Sequence, residues 1–284
     1  MTVIQIGLVD TTNAIDPALV EAAAAALNVQ VIRDLPPFWN VQATVRHLPS
    51  QNQIPAGIWP VLLVPVLPEG EGGFHLDQHN QPYAKVAATR GNDGWTIAAS
   101  HETIEMLIDP AGNRLQSSTS IEIVGGKIQD GSAQFEYLVE GCDPVEAEKY
   151  SYSIQGIAVS DFITPHFYDP VVTSGTRYSF TGALTKPREI LPGGYISWID
   201  LSNERIRQLQ YLDPSEPPTI VDLGPSQTKE KSLREWLHTK RGSPAGLRTT
   251  RELSEKSLNE PLLERCRQHR RALQEIASQR AKMY

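Results

Sequence analysis

One stretch of the chain limits its fold more than any other. Trp95 to Ile108 contains neither Gly nor Pro. It is bracketed by Gly91-Asn92-Asp93-Gly94 and by Asp109-Pro110-Ala111-Gly112, and is therefore predicted to be a helix with both ends fixed. Each helical residue advances about 100°. With His101 at zero, Glu105 falls at roughly 40°, Asp109 at about 80° and Glu102 at about 100°. Ile108, Ile104 and Leu107 fall at roughly 340°, 300° and 240°. An imidazole and three carboxylates share one sector, and apolar side chains fill the next. Such a helix either packs by its apolar side around a polar site or carries a solvated acidic face, and the motif alone leaves both open.

The elements before this helix alternate strand and helix signals. Val3 to Val9 reads as a strand. Asp16 caps a helix with Pro17 at its first position, continued by the alanine-rich run Val20 to Leu27. Strands are expected at Val29–Ile32, Val41–Leu48, Trp59–Leu67 and Tyr83–Thr89, with a glycine-rich loop from Glu69 to His75. The order β-α-β-β-β-β-α points to a mixed sheet rather than a repeated βαβ unit.

After the helix, Ser120–Val124 and Lys127–Gln129 read as a hairpin around Gly125-Gly126. Ser132 is expected to cap a short helix that runs through Glu140 to Gly141. Ser151 to Phe162 is extended, and Tyr178 to Tyr195 holds two short strands at most. Tyr195–Leu201 and Ile206–Leu212 read as a strand pair. Pro214, Pro217 and Pro218 mark a linker, and beyond them Glu260 to Lys282 is the one convincing helix. These readings divide the 284 residues into units at 1–112, 113–213 and 214–284.

Composition removes several function classes. No apolar run reaches the length of a membrane span, since Pro60 and Pro65 interrupt the richest stretch. Residues 1–10 lack a basic n-region, so a secretory signal is not expected. Two cysteines, Cys142 and Cys266, cannot form a disulfide framework, which suits a reducing, cytoplasmic setting, and cannot by themselves build a four-ligand zinc site. No glycine-rich nucleotide-binding motif occurs. The net charge of −7 is uneven. From Lys229 onward there are 14 basic and seven acidic residues, a net of +7, against −14 in the preceding part. A basic tail can pack on its own acidic body or meet an acidic partner, nucleic acid included. Its mixed signs and few aromatics favour the first. The helix Glu260–Lys282 suits docking on a protein partner or on the body.

The segment His101-Glu102-Thr103-Ile104-Glu105 resembles the His-Glu-x-x-His helix of zincin metallopeptidases, with Glu105 where the family has its second histidine. The element order of residues 1–112 is similar to the N-terminal part of that family too. The resemblance implies an α+β fold: a zincin-like mixed sheet with the active-site helix, a smaller irregular α+β subdomain that completes the cleft, and a helical basic tail. It implies His101 and Glu105 as ligands of Zn²⁺, with Mn²⁺ or another divalent cation as the alternative for a carboxylate-rich site. It implies Glu102 as the general base, and a peptide substrate extended along an edge strand near residues 83–89. A third ligand comes either from Asp109, at the end of the same helix, or from Glu140, with Asp143 orienting a ligand or simply capping the turn at Pro144.

Other residues carry two readings each. His75 is either a substrate- or metal-side residue or an ordinary loop residue. His166 or Tyr168 could steady an oxyanion, or belong to a core-packing turn. Cys142 suits a buried small hydrophobe better than a nucleophile. The function expected is metal-dependent hydrolysis of peptide bonds. The alternative is a catalytically inactive zincin-fold module that binds or regulates a partner through its tail.

Overall fold

The computed structural model describes residues 3–67, 71–225 and 232–241 of the chain. The expected tail helix Glu260–Lys282 lies outside these described residues.

The first sheet is built on β1 (Ile4–Asp10), which pairs in parallel with β2 (Ala43–His47) on one side and β3 (Ile58–Val64) on the other. Ile6, Leu8 and Val9 are fully buried, as a strand covered on both faces requires. Helix α1 (Pro17–Val29) covers the sheet. Asp16 caps it by accepting the Ala18 N–H at 2.9 Å. Ala23, Ala24 and Ala26 bring its backbone close to the sheet.

The strand expected at Val29–Ile32 is instead a π-helical turn, Gln30–Asp34, that continues α1. A buried polar network outweighs the β-branched residues there. Gln30 Nε2 donates to Ser160 O (2.9 Å) and Tyr152 Oη (3.0 Å), and Gln30 Oε1 accepts from Ser100 Oγ at 2.7 Å. Pro36 then starts the short α2 (Pro36–Trp39), which Asn40 ends in the left-handed region at φ 51°.

The glycine-rich loop of the sequence reading ends at Gly72. From Gly73 the chain is a strand, β4 (Gly73–Gln78), antiparallel to β5 (Gln81–Ala87). His79 and Asn80 form the two-residue turn between them, with φ values of 55° and 61°. Strand β5 also pairs in parallel with β3, so the order is β2-β1-β3-β5-β4. The edge is therefore β4, not the strand at 83–89, which is interior.

Helix α3 (Trp95–Ile108) forms as predicted. Apart from Ala98 every one of its residues is buried, polar ones included. Asp109 stops it: the carboxylate accepts the N–H groups of Asn113 (3.1 Å) and Arg114 (2.8 Å). Ser100 Oγ also accepts the Ser160 N–H at 2.9 Å. One polar network thus ties α3 to α1 and to the loop at residue 160.

The second sheet is antiparallel, in the order β12-β11-β10-β7-β6. Its strands are β6 (Leu115–Val124), β7 (Lys127–Leu138), β10 (Gly194–Asp200), β11 (Arg205–Tyr211) and β12 (Thr219–Pro225). The helix expected from Ser132 through Glu140 does not form, because β7 runs on to Leu138. Phe135 and Tyr137 alternate inward at the period of a strand, and Phe135 stacks on Trp198 of β10 at 5.1 Å. The prolines at 214, 217 and 218 occupy the connection from β11 to β12, so the sheet continues past them. A small hairpin, β8 (Tyr152–Ile154) and β9 (Ile157–Val159), packs beside α3. The architecture is thus mixed α+β, with several sheets and few helices. Among the described residues no helix is long and apolar enough to cross a membrane.

The Gln30 network makes a quantitative expectation. Gln30→Leu leaves the Ser160 carbonyl without its Gln30 donor and the Ser100 hydroxyl without its Gln30 acceptor. It should lower stability by about 2 kcal/mol, at roughly 1–3 kcal/mol per orphaned buried group. Urea unfolding monitored by tryptophan fluorescence measures this as a lower midpoint.

Candidate metal centre

Three segments converge on the polar sector of α3. The first is β4, antiparallel at the edge of its sheet, which brings His75 in from one side. Gly73 makes the approach possible: a Cβ there would lie 2.9 Å from Cγ and Oε1 of Glu102. The second is the turn after β7, residues 139–143. Gly141 lets it press on the helix, since a Cβ there would lie 2.7 Å from Ile108 Cδ1. The Cys142 N–H donates to Glu105 Oε1 at 3.0 Å and locks that carboxylate in place. The third is α4 (Leu233–Arg241), which carries Arg234.

His101 Nε2 lies 3.2 Å from Glu105 Oε1 and 3.2 Å from Asp143 Oδ1. His75 Nδ1 lies 3.2 Å from Glu102 Oε2 and 3.6 Å from Glu105 Oε2. The Arg234 guanidinium reaches across the carboxylates. Its Nη1 donates to Glu140 Oε2, and its Nη2 is 3.3 Å from Glu105 Oε2 and 3.7 Å from Glu102 Oε2. All of these side chains are less than a tenth exposed. Glu105 Oε2 is buried and makes no hydrogen bond, although it faces His75 Nδ1 and the Arg234 guanidinium.

Three overlapping sets of donors lie close enough to hold a metal ion, each with its atoms within 4.8 Å of one another. They are His101 with Glu105 and Cys142, His75 with Glu102 and Glu105, and Glu105 with Glu140 and Asp143. Glu105 belongs to all three, so the residue that departs from the zincin motif is the hub of the cluster.

The electrostatics follow from burial and crowding. Burial disfavours a charged His101, but Glu105, Cys142 and Asp143 outweigh it and hold the imidazole pKa well above its ordinary value. Burial would lift Glu105 too, but His101 and Arg234 hold it well below the usual carboxylate range. Glu140 goes the other way: burial, reinforced by Glu105 and Asp143, outweighs the pull of Arg234 and raises it. Arg234 stays cationic, because Glu140 and Glu105 outweigh the cost of its burial. The Cys142 thiol is pushed up by burial, which disfavours the thiolate a nucleophile needs.

The other sequence candidates fall in different places. Asp109 spends its carboxylate on the end of α3, and burial raises its pKa. Asp143, expected to orient a ligand or cap a turn, touches His101 directly. Glu140 arrives from the end of a strand and is held by Arg234. His166 is exposed and pairs with Asp169 at 2.8 Å, away from the cluster. Tyr168 is buried with its hydroxyl unbonded, its pKa raised by burial and by the charge of Glu140.

Arg234 is absent from the sequence reading. Its signal was the apolar spacing of Leu233, Trp236 and Leu237, one helical face inside a charged tail. His75, expected in a loop as either a substrate- or metal-side residue or an ordinary loop residue, lies instead on strand β4.

Asp143 and Asp109 separate the roles of the two carboxylates. Asp143→Asn is expected to weaken divalent-cation binding at least tenfold, by calorimetric titration. Asp109→Asn is expected to leave binding intact and cost about 1 kcal/mol of stability as a weakened cap. No family model, curated protein or solved structure matches this chain.

Proposed function

We propose that the chain is a zincin-like, metal-dependent peptidase. The observation that carries this reading is the pair of 3.2 Å contacts from His101 Nε2 to Glu105 and Asp143. Donors about 2.0–2.1 Å from a tetrahedral zinc lie about 3.3 Å apart, which is close to the spacing of each of these two pairs, and imidazole and carboxylate are both zinc donors. In this reading His101, Glu105 and Asp143 hold zinc, and two carboxylates beside one imidazole also suit manganese. The cation supplies Lewis acidity toward a carbonyl and lowers the pKa of a water molecule.

The remaining work falls to the chain. Glu102 neighbours His101 on α3 and accepts a proton from the attacking water, then returns it to the leaving amine. His75, 3.2 Å from Glu102 Oε2, fixes the orientation of that carboxylate. The Tyr168 hydroxyl, buried and without a hydrogen bond, is available as a donor to a developing oxyanion. Strand β4 pairs on one side only and offers its other edge to an extended peptide.

A second reading is a zincin-fold binding module without catalysis. The observation in its favour is Arg234, which already supplies positive charge to the carboxylates.

Glu102→Gln tests the first reading. It should retain stoichiometric zinc, measured by atomic emission, and lose at least a thousandfold of peptide hydrolysis. Wild-type cleavage rates in this variant would refute Glu102 as the base. Absence of metal in wild-type protein supplied with zinc would favour the second reading.

A further inference from the structure

The basic tail does not merely approach the acidic body; it places one guanidinium inside the cluster. Arg234 is 3% exposed, a buried charge among the described residues. Its helix is anchored on two sides. Leu233, Trp236 and Leu237 pack with Leu138 and Ile206 of the second sheet. The Arg234 N–H donates to Gly112 O at 2.9 Å, and the Leu233 N–H to Asn113 Oδ1 at 2.8 Å, both in the loop that ends α3. At its far end His238 lies on the ring of Phe74 in β4, with centroids 4.5 Å apart, and His238 Nδ1 is 3.6 Å from Glu71 Oε1. The segment therefore spans from the second sheet, across the carboxylates, to the start of the edge strand.

Two features make this contact a competitor rather than a permanent brace. Arg234 Nη2 takes Glu105 and Glu102, the hub of the donor sets and the proposed base. A divalent cation brings twice the charge to the same carboxylates, and a guanidinium beside it is repelled. The anchor is also small: α4 has nine residues, a length that does not hold as a helix without its packing, and three buried apolar side chains carry that packing.

We infer that residues 232–241 are a built-in plug, in which Arg234 stands in for the divalent cation and α4 covers the carboxylates until metal loading displaces it. This inference rests on the metal-centre reading above. It predicts that metal affinity and docking of α4 oppose each other, since a ligand shifts an equilibrium only through its differential affinity for the two states.

Zinc titration against a chromophoric chelator tests this in the full chain. The proteins compared are wild type, Arg234→Met, and the double variant Trp236→Ser with Leu237→Ser, which keeps the arginine but removes its anchor. Both variants should bind zinc at least tenfold more tightly than wild type. In wild-type protein, zinc should also speed amide hydrogen exchange across residues 233–241, a measurement that needs no variant and stands even if Arg234→Met fails to fold. Equal zinc affinity in all three proteins, with exchange unchanged by zinc, overturns the plug and leaves the metal centre standing. No zinc binding in any of them overturns both.

Discussion

Four carboxylates in one buried volume set the terms for the rest of the molecule. Glu102, Glu105, Glu140 and Asp143 are each no more than 5% exposed. Like charges about 4 Å apart repel by about 4 kcal/mol at an effective dielectric near 20, so such a cluster persists only with positive charge inside it. His101 and Arg234 supply that charge, and their pKa values, held well above the ordinary ones, express the same coupling. The opposite shifts of Glu105 and Glu140 show that the compensation is uneven.

The fold spends much of its specificity on holding this cluster together. Gly73 in β4 and Gly141 in the turn after β7 are close approaches to α3, where a Cβ would displace the Glu102 or the Ile108 side chain. On the opposite side the Gln30–Ser100–Ser160 network fixes α3 against α1. The π-helical turn that places Gln30 is the local irregularity this network requires.

Much of this was legible in the residues. The glycine and Asp-Pro brackets located α3 to the residue, and its angular pattern assigned the polar sector. The remainder depended on contacts distant in sequence. Val29–Ile32 has strand composition, but a buried glutamine decides its conformation. Ser132–Glu140 offers a plausible cap and stop, yet the inward alternation of Phe135 and Tyr137 against Trp198 makes it a strand. His79-Asn80 turns a hairpin with no glycine, which concealed β4 and with it the true edge and the place of His75. Asp109 sits at the right helical angle for a ligand, but the helix end claims its oxygens. Glu140 and Asp143 depend on where β7 stops, which no local pattern specifies.

The asymmetry between an acidic body and a basic tail gains a location from Arg234. Charges separated by more than about 8–10 Å of salt solution are largely screened, so an imbalance spread over a surface has little directional effect. A buried contact escapes that screening. Arginine suits the position in a way lysine does not, because its planar fork reaches two acceptors at once. Nη1 serves Glu140 while Nη2 serves Glu105 and Glu102, linking the strand-end carboxylate to those on the helix. Lys240, further along the same helix, lies instead over the ring of Trp236, 5.3 Å from its centroid. The recognition is therefore carried by one side chain at one register, while the apolar stripe of α4 sets the distance at which it enters.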